Sequence, residues 1–339
     1  MSTTAVNTFS IGFRENQYNE SDYARKVAAF LKTSHHEFIV SHNDAMELVD
    51  KITDVYDEPF ADSSAIPTML VSKLAKKHVT VTLSGEGGDE LFFGYGSHKW
   101  AKRLNNPLIY FSKDILRFVL KNMSNNSYKR ASKLFEFSEK SDLPAHIFSQ
   151  EQYLFSHGDL KELLTDSSRL SKFQWPFPEK ELSRKIDPME KQALFDMIYY
   201  LPGDLLTKVD RASMAYSLET RVPYLDHRLV EVALNISPDL KYKNGISKYI
   251  LKEILYQYVP KSYFDRPKQG FAIPLVKWLK YELRYLIEDI LKPEIITQYN
   301  IVKTEEVEEL KKRFFAGEDF LFNRLWLLIV LHKWLLKYG

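Results

Sequence analysis

Over the first hundred residues the apolar positions switch between two periods. Thr8 to Phe13 (TFSIGF), His36 to Val40 (HEFIV) and Val79 to Leu83 (VTVTL) are short runs of β-branched and aromatic residues, the pattern of strands. Between them apolar residues recur at helical spacing over Asp22–Leu31, Asp44–Tyr56 and Ser63–Lys77. Strands alternating with helices predict a parallel sheet covered by helices, an α/β fold. Past Trp100 the strand pattern fades. Helices are predicted over Met189–Leu201, stopped by Pro202-Gly203, over Asp204–Ser217 with Asp204 as its cap, and over Ser247–Val259, ended by Pro260. Two more are predicted near Thr304–Phe315 and Phe320–Leu336, and the softest stretch is Asn122–Ser132. No internal repeat or low-complexity segment interrupts this pattern. It predicts two portions: residues 1–100, an α/β part carrying the sheet, and residues 101–339, a mostly helical layer packed on it.

Composition narrows the classes. The chain has 339 residues, 45% apolar and 14% aromatic, enough for one large core or two ordinary ones. Its 47 basic and 45 acidic residues are interleaved and leave a net charge of +2, which argues against nucleic acid as the main partner. The longest apolar run, Leu325 to Leu331, is far shorter than the roughly 18 residues a membrane span needs, and Met1 to Asn7 reads as no signal peptide. A cytoplasmic protein without a membrane partner is expected. The absence of cysteine removes disulfides, thiolate metal sites and cysteine nucleophiles together.

The richest chemistry lies directly after the third strand, in Ser84-Gly85-Glu86-Gly87-Gly88-Asp89-Glu90. Gly85, Gly87 and Gly88 let the backbone turn tightly and converge its N–H groups, as in an anion-binding nest. A loop at the carboxyl end of a parallel strand is also where open α/β sheets bind ligands. Glu86, Asp89 and Glu90 would repel bare phosphate, and Mg²⁺ held by one or two carboxylates would resolve that conflict. A glycine-rich turn with solvated acids at the next helix explains the same residues equally well from spacing alone. Asp62, Ser63 and Ser64 fit either a ligand contact or a helix cap. His35, His36 and His42 lack matching carboxylates for a metal site, and the aromatic stripe from Phe320 to Trp334 reads as core.

The segment SGEGGDELFFGY, residues 84–95, resembles the second signature of the asparagine synthetase synthase domain. Four further blocks resemble that family in the same order. They are Phe9 to Phe13, Asp57 to Ser64, Leu201 to Asp226 and Arg266-Pro267-Lys268-Gln269-Gly270-Phe271. The resemblance covers roughly Thr8 to Leu279. It implies an adenine nucleotide alpha hydrolase-like sheet of ATP-pyrophosphatase type. ATP would adenylate the side-chain carboxylate of aspartate, and ammonia would then displace AMP to give asparagine. By the same resemblance Ile11 contacts adenine through its backbone, and Ser84 and Gly85 line the ATP site with Gly87 and Gly88. Glu86 serves adenylate formation, Asp89 is a Mg²⁺ ligand and Lys268 neutralises charge where the two anions meet. Arg211, Arg221 and Asp226 are explained about as well by ion pairs between helices.

Departures from the family carry equal weight. Family members have a strand and a serine-glycine-glycine-x-aspartate-serine loop just upstream of the Phe-Ser-Ile-Gly-Phe strand, whereas this sequence starts seven residues before Thr8. The resemblance implies that this strand sits centrally, between those of Thr8–Phe13 and Val79–Leu83. Its loss would leave two interior edges facing a gap, and unpaired buried backbone groups cost roughly 1–3 kcal/mol each. An upstream segment or a partner chain supplying the strand, the phosphate loop and the glutaminase is therefore expected. Three readings follow: a synthetase portion acting once completed, a related ATP-dependent amide-forming enzyme of a specialised pathway, and a non-catalytic remnant or scaffold subunit.

Overall fold

The computed structural model describes residues 4–13, 19, 21–123, 125–137, 139–168, 170, 182–264 and 273–339. The first part follows the predicted alternation. Strand β1 (Asn7–Phe13) leads through helix α1 (Ser21–Leu31) to β2 (Ser34–Val40), and the two strands pair in parallel with Ile11 opposite Phe38. Helices α2 (His42–Val55) and α3 (Ala65–Ala75) then lead to β3 (Val81–Leu83). Helix α2 starts where it does because Ser41 and Asp44 form a reciprocal capping box. His78, just ahead of β3, stacks on His36 with ring centroids 3.8 Å apart and on Phe9 at 5.9 Å. The beginnings of β1, β2 and β3 therefore lie at one end.

The next helices are short. They are α4 (Gly88–Leu91), α5 (Gly96–Leu104), α6 (Pro107–Phe111), α7 (Lys113–Lys121), α8 (Asn126–Lys133), α9 (Leu143–Glu151) and α10 (His157–Leu163). Helix α8 occupies much of Asn122–Ser132, the stretch read as softest. Asn125 caps it by accepting from the Ser127 backbone N–H at 2.8 Å, and Arg130 anchors it on the Tyr153 hydroxyl at 2.6 Å.

A larger correction concerns Pro202-Gly203. Helix α11 (Pro188–Phe195) runs without a break into a π-helical stretch, Asp196–Leu206, and on into α12 (Thr207–Met214). The wider π-turn accommodates a proline that has no N–H and whose ring would clash with a carbonyl in an ordinary α-turn. The Pro202 carbonyl accepts from the Thr207 hydroxyl at 2.9 Å. Asp204 is accordingly inside the helix and not a cap.

A strand with no signal in the apolar pattern follows, β4 (Glu219–Arg221), and it pairs in parallel with β3. After α13 (His227–Asn235), α14 (Pro238–Lys241), an antiparallel hairpin of β5 (Tyr242–Lys243) and β6 (Ile246–Ser247), and α15 (Tyr249–Leu255), the chain ends in α16 (Leu275–Lys280), α17 (Arg284–Ile290), α18 (Pro293–Tyr299), α19 (Thr304–Phe315) and α20 (Phe322–Tyr338). Helix α19 has the predicted limits.

Among the described residues the strands form separate two-stranded sheets, β1–β2, β3–β4 and β5–β6. The main core joins β1, α2 and α3 to α16–α20, with Trp278, Trp326, Phe314 and Ile329 fully buried. The aromatic stripe of α20 is core, as expected. Arg324, also buried there, donates to the Leu154 carbonyl at 3.1 Å and to Asp159 at 2.9 Å. This fold is a mostly helical α/β structure with small parallel sheets.

Candidate active site

Between β1 and β3 lies a cleft of about 960 Å³. One wall is β1, from Asn7 to Ile11 and Phe13, and the other is Val81, Thr82, Leu83 and Ser84 of β3 and its loop. Helices α1 and α3 close its sides, and Lys208 and Val209 of α12 close its floor. The cleft is bounded by the facing edges of the two parallel pairs.

The loop after β3 is fixed from both ends. The Ser84 N–H donates to the Arg221 carbonyl at 2.9 Å, which continues the β3–β4 ladder into the loop. The Ser84 hydroxyl is hydrogen-bonded to the Glu86 carboxylate. Gly87 has a φ of +86°, and a Cβ there would also collide with the Leu225 side chain at 2.5 Å, so glycine is required twice over. Gly88 is buried against the Tyr224 ring, whereas Gly85 faces open space.

Of the residues expected to carry chemistry, Ile11, Ser84 and Glu86 share the cleft. Asp89 faces elsewhere: its carboxylate receives the Lys248 ammonium at 2.9 Å. Lys248 has a φ of +54°, just ahead of α15, and its N–H donates to the Phe92 carbonyl at 3.1 Å, which pins it beside the loop. Glu90 is buried, and its Oε1 accepts from the Tyr95 hydroxyl while Oε2 has no partner. Burial holds this carboxyl above its usual range despite the Tyr95 hydrogen bond. Lys268 and its block lie outside the described residues.

A metal fits this arrangement poorly. Among the described residues no three His, Asp or Glu side chains come together as a metal cage. Asp89 is engaged by Lys248 and Glu86 by Ser84, so neither offers a free carboxylate pair to Mg²⁺.

Behind the floor of the cleft stands a buried ionic group that the sequence did not announce. Lys208 donates to Asp62 at 2.9 Å, and Asp62 also accepts from the Ser64 N–H and hydroxyl, each at 2.8 Å. Tyr56 donates to the Lys208 carbonyl at 3.1 Å, tying α2 to α12. Asp204, one helical turn before Lys208, sits against Asp62, and its Oδ1 is buried without a partner. Burial and the Asp62 charge push the Asp204 carboxyl well above the carboxylate range. Burial acts the same way on Asp62, but Lys208 and the Ser64 donors outweigh it and hold that carboxyl below the range. Burial acts against charge on Lys208, and Asp62, then Asp204 and more distantly Glu86, overcome it. The trio thus sets two carboxyls with opposite shifts around one ammonium, Asp204 favouring its neutral form and Asp62 its charged form. The i, i+4 spacing of Asp204 and Lys208 was its only sequence signal, and the assumed helix stop at Pro202 hid it.

Asp62 turns the chain into α3 and binds Lys208. Arg211 pairs with Asp57 at 2.6 Å, Arg221 with Glu219 at 2.6 Å and Asp226 with Arg228 at 2.8 Å, all ion pairs on the surface.

With this geometry in view, comparison with known proteins is decisive. The profile described as asparagine synthase matches residues 1–336. The chain belongs to the asparagine synthase family. It is 31% identical over 348 aligned residues to asparagine synthetase [glutamine-hydrolyzing] 1 of Bacillus subtilis (strain 168), which covers 97% of this chain and 52% of that protein. A putative asparagine synthetase [glutamine-hydrolyzing] 2 of Methanocaldococcus jannaschii is 50% identical over 114 residues, 34% of this chain and 21% of that protein. The asparagine synthetase [glutamine-hydrolyzing] of Mus musculus is 24% identical over 343 residues, 95% of this chain and 46% of that protein. The chain spans about half the length of these more fully matched relatives.

Proposed function

We propose that this chain is the synthetase portion of an ATP-dependent asparagine-forming ligase, acting when a further polypeptide segment fills the cleft between β1 and β3. The observation that carries this reading is the cleft itself, in a chain of the asparagine synthase family. It separates two parallel strand pairs that begin at one end, and it gathers Ile11, Ser84 and Glu86 beside a buried ammonium. The two pairs are read as halves of one adenine nucleotide alpha hydrolase-like sheet, with residues 1–100 its α/β portion and 101–339 the mostly helical one.

In this reading the segment occupies the cleft between the strands and ATP lies at its mouth beside the loop after β3, its adenine on the backbone of Ile11 and its phosphates toward Ser84 and Gly85, with Gly87 and Gly88 shaping the turn. The carboxylate oxygen of aspartate attacks the α-phosphorus, the bond to the β-phosphate bridging oxygen breaks and pyrophosphate leaves. Lys268 and Lys208 offset the charge of the two anions. Glu86 serves this adenylation; ammonia then attacks the acyl carbon, and AMP departs with the bonding pair, its phosphate taking the nitrogen's surplus proton. No step is assigned to Mg²⁺, because Asp89 is engaged by Lys248.

That ion pair and the incomplete sheet favour a second reading, a non-catalytic scaffold subunit. Glu86→Gln in the chain completed by fusion or co-expression with the upstream segment decides between the two. Pyrophosphate exchange should fall about 10²–10³-fold with ATP affinity nearly unchanged. Exchange equal to the parent's, or absent in both, would favour the scaffold.

A further inference from the structure

Helices α6 and α7 form a ridge whose outer side is apolar and uncovered. Leu108 is 81% exposed, Phe111 83%, Ile115 69% and Phe118 72%. Ile115, Phe118 and Val119 stand at i, i+3 and i+4 and share one face of α7. The opposite side is packed: Leu116 and Leu120, with Ile109 and Tyr110 of α6, lie against the core made by Ala101, Leu104, Phe135 and Ile147. The ridge is rigidly held. The Ser112 hydroxyl donates to the Leu108 carbonyl at 2.7 Å and joins the two helices, while Lys113 donates to the Phe137 carbonyl at 2.7 Å. The outer apolar strip is thus a second face, distinct from the one the core uses.

Charge accompanies it. Residues 101–133 hold eight Lys and Arg against the single acid Asp114, a net of +7, whereas the whole chain carries +2. Glu136, Glu151 and Asp159 balance Arg117, Arg130 and Lys133. Lys102 and Lys121 are exposed and have no ion pair among the described residues.

We propose that the α6–α7 ridge docks on an anionic membrane surface, with both helices in the plane of the headgroups. Apolar side chains projecting from a ridge suit insertion between lipids better than docking with a protein groove, and the flanking lysines suit anionic headgroups. A second copy would bring two such basic segments together and is disfavoured by repulsion. The expectation of no membrane partner rested on the length of the longest apolar run, a criterion for spanning segments. No helix among the described residues is long and apolar enough to span. A helix lying on the surface needs no such length.

Cosedimentation of the full chain with vesicles of phosphatidylcholine and about one quarter phosphatidylglycerol tests this, with pure phosphatidylcholine as control. The anionic vesicles should bind at least roughly tenfold more strongly, and the double variant F111S/F118S should lose about tenfold or more, with circular dichroism and melting unchanged. Because Lys102 and Lys121 are exposed, K102E/K121E should weaken binding without touching the core. Failure to bind, equal binding to both vesicles, or binding indifferent to both variants overturns the proposal. A dimer abolished by F111S/F118S, with no vesicle binding, assigns the ridge to a second copy instead. Neither ATP nor a completed sheet enters this test, so its failure is separate from failure of the proposed ligase.

Discussion

The C-terminal helical layer and the cleft between β1 and β3 share one main core, yet they are finished to different degrees. In α16–α20 the large side chains Trp278, Trp326 and Phe314 are fully buried, whereas Leu83 at the cleft is 73% exposed. Helices satisfy their backbone groups within the segment, so a helical layer needs only apolar neighbours to be complete. A strand satisfies its groups only on a neighbour, and among the described residues β1 and β3 each keep one edge open beside the cleft. Incompleteness is therefore concentrated where the chemistry is proposed.

The sharpest way to break this comparison is to cut into both regions. Trp326→Ala should cost about 3–5 kcal/mol in denaturant unfolding, the usual loss for a buried aromatic. Leu83→Ser should change the stability of the chain alone by about 0.5 kcal/mol or less. If Leu83→Ser proved as damaging as Trp326→Ala, the cleft would already be a finished core and the completing segment unnecessary.

Lys208 tests the boundary between the regions. Lys208→Met leaves the half-buried Asp62 with only its Ser64 donors, which should cost about 1–3 kcal/mol. Adding Asp62→Asn should recover much of that loss, and a double-mutant cycle measures how much. Additive losses would mean that the two side chains are not one unit.

The smallest effect is one of pH. Asp204 has a raised folded pKa, so the native state holds a proton that the unfolded chain releases above pH ~3.9. This group's contribution is present below that pH and is lost as pH rises toward its folded pKa. Asp62, with a lowered pKa, behaves oppositely: its contribution is present at neutral pH and is lost as acid protonates it. Asp204→Asn should therefore flatten the decline in stability that sets in above the unfolded pKa of ~3.9 and leave the acid limb from Asp62 in place, as read from urea midpoints across a pH series. An unchanged alkaline slope would show that Asp204 is ionised in the native protein.

Much of this was legible beforehand. The periods of the apolar residues determined β1, α1, β2, α2, α3 and β3 to within a few residues, although Val81 and Leu83 of β3 are left exposed beside the cleft. The loop SGEGGDE could be singled out because only glycine meets the demands of a position such as Gly87. Tertiary structure decided the rest. Strand β4 has three residues and an unremarkable pattern, and its backbone becomes a strand only by pairing with β3. Pro202 reads as a stop locally, but the packing of α11 and α12 on their neighbours supports a π-turn through it. The trio brings Asp62 to Asp204 and Lys208 from more than 140 positions away, and the opposite shifts of its carboxyls follow from burial and mutual charge, which no local pattern encodes. The resemblance made Asp89 a candidate metal ligand, and only the folded chain brings Lys248 to within 2.9 Å of it.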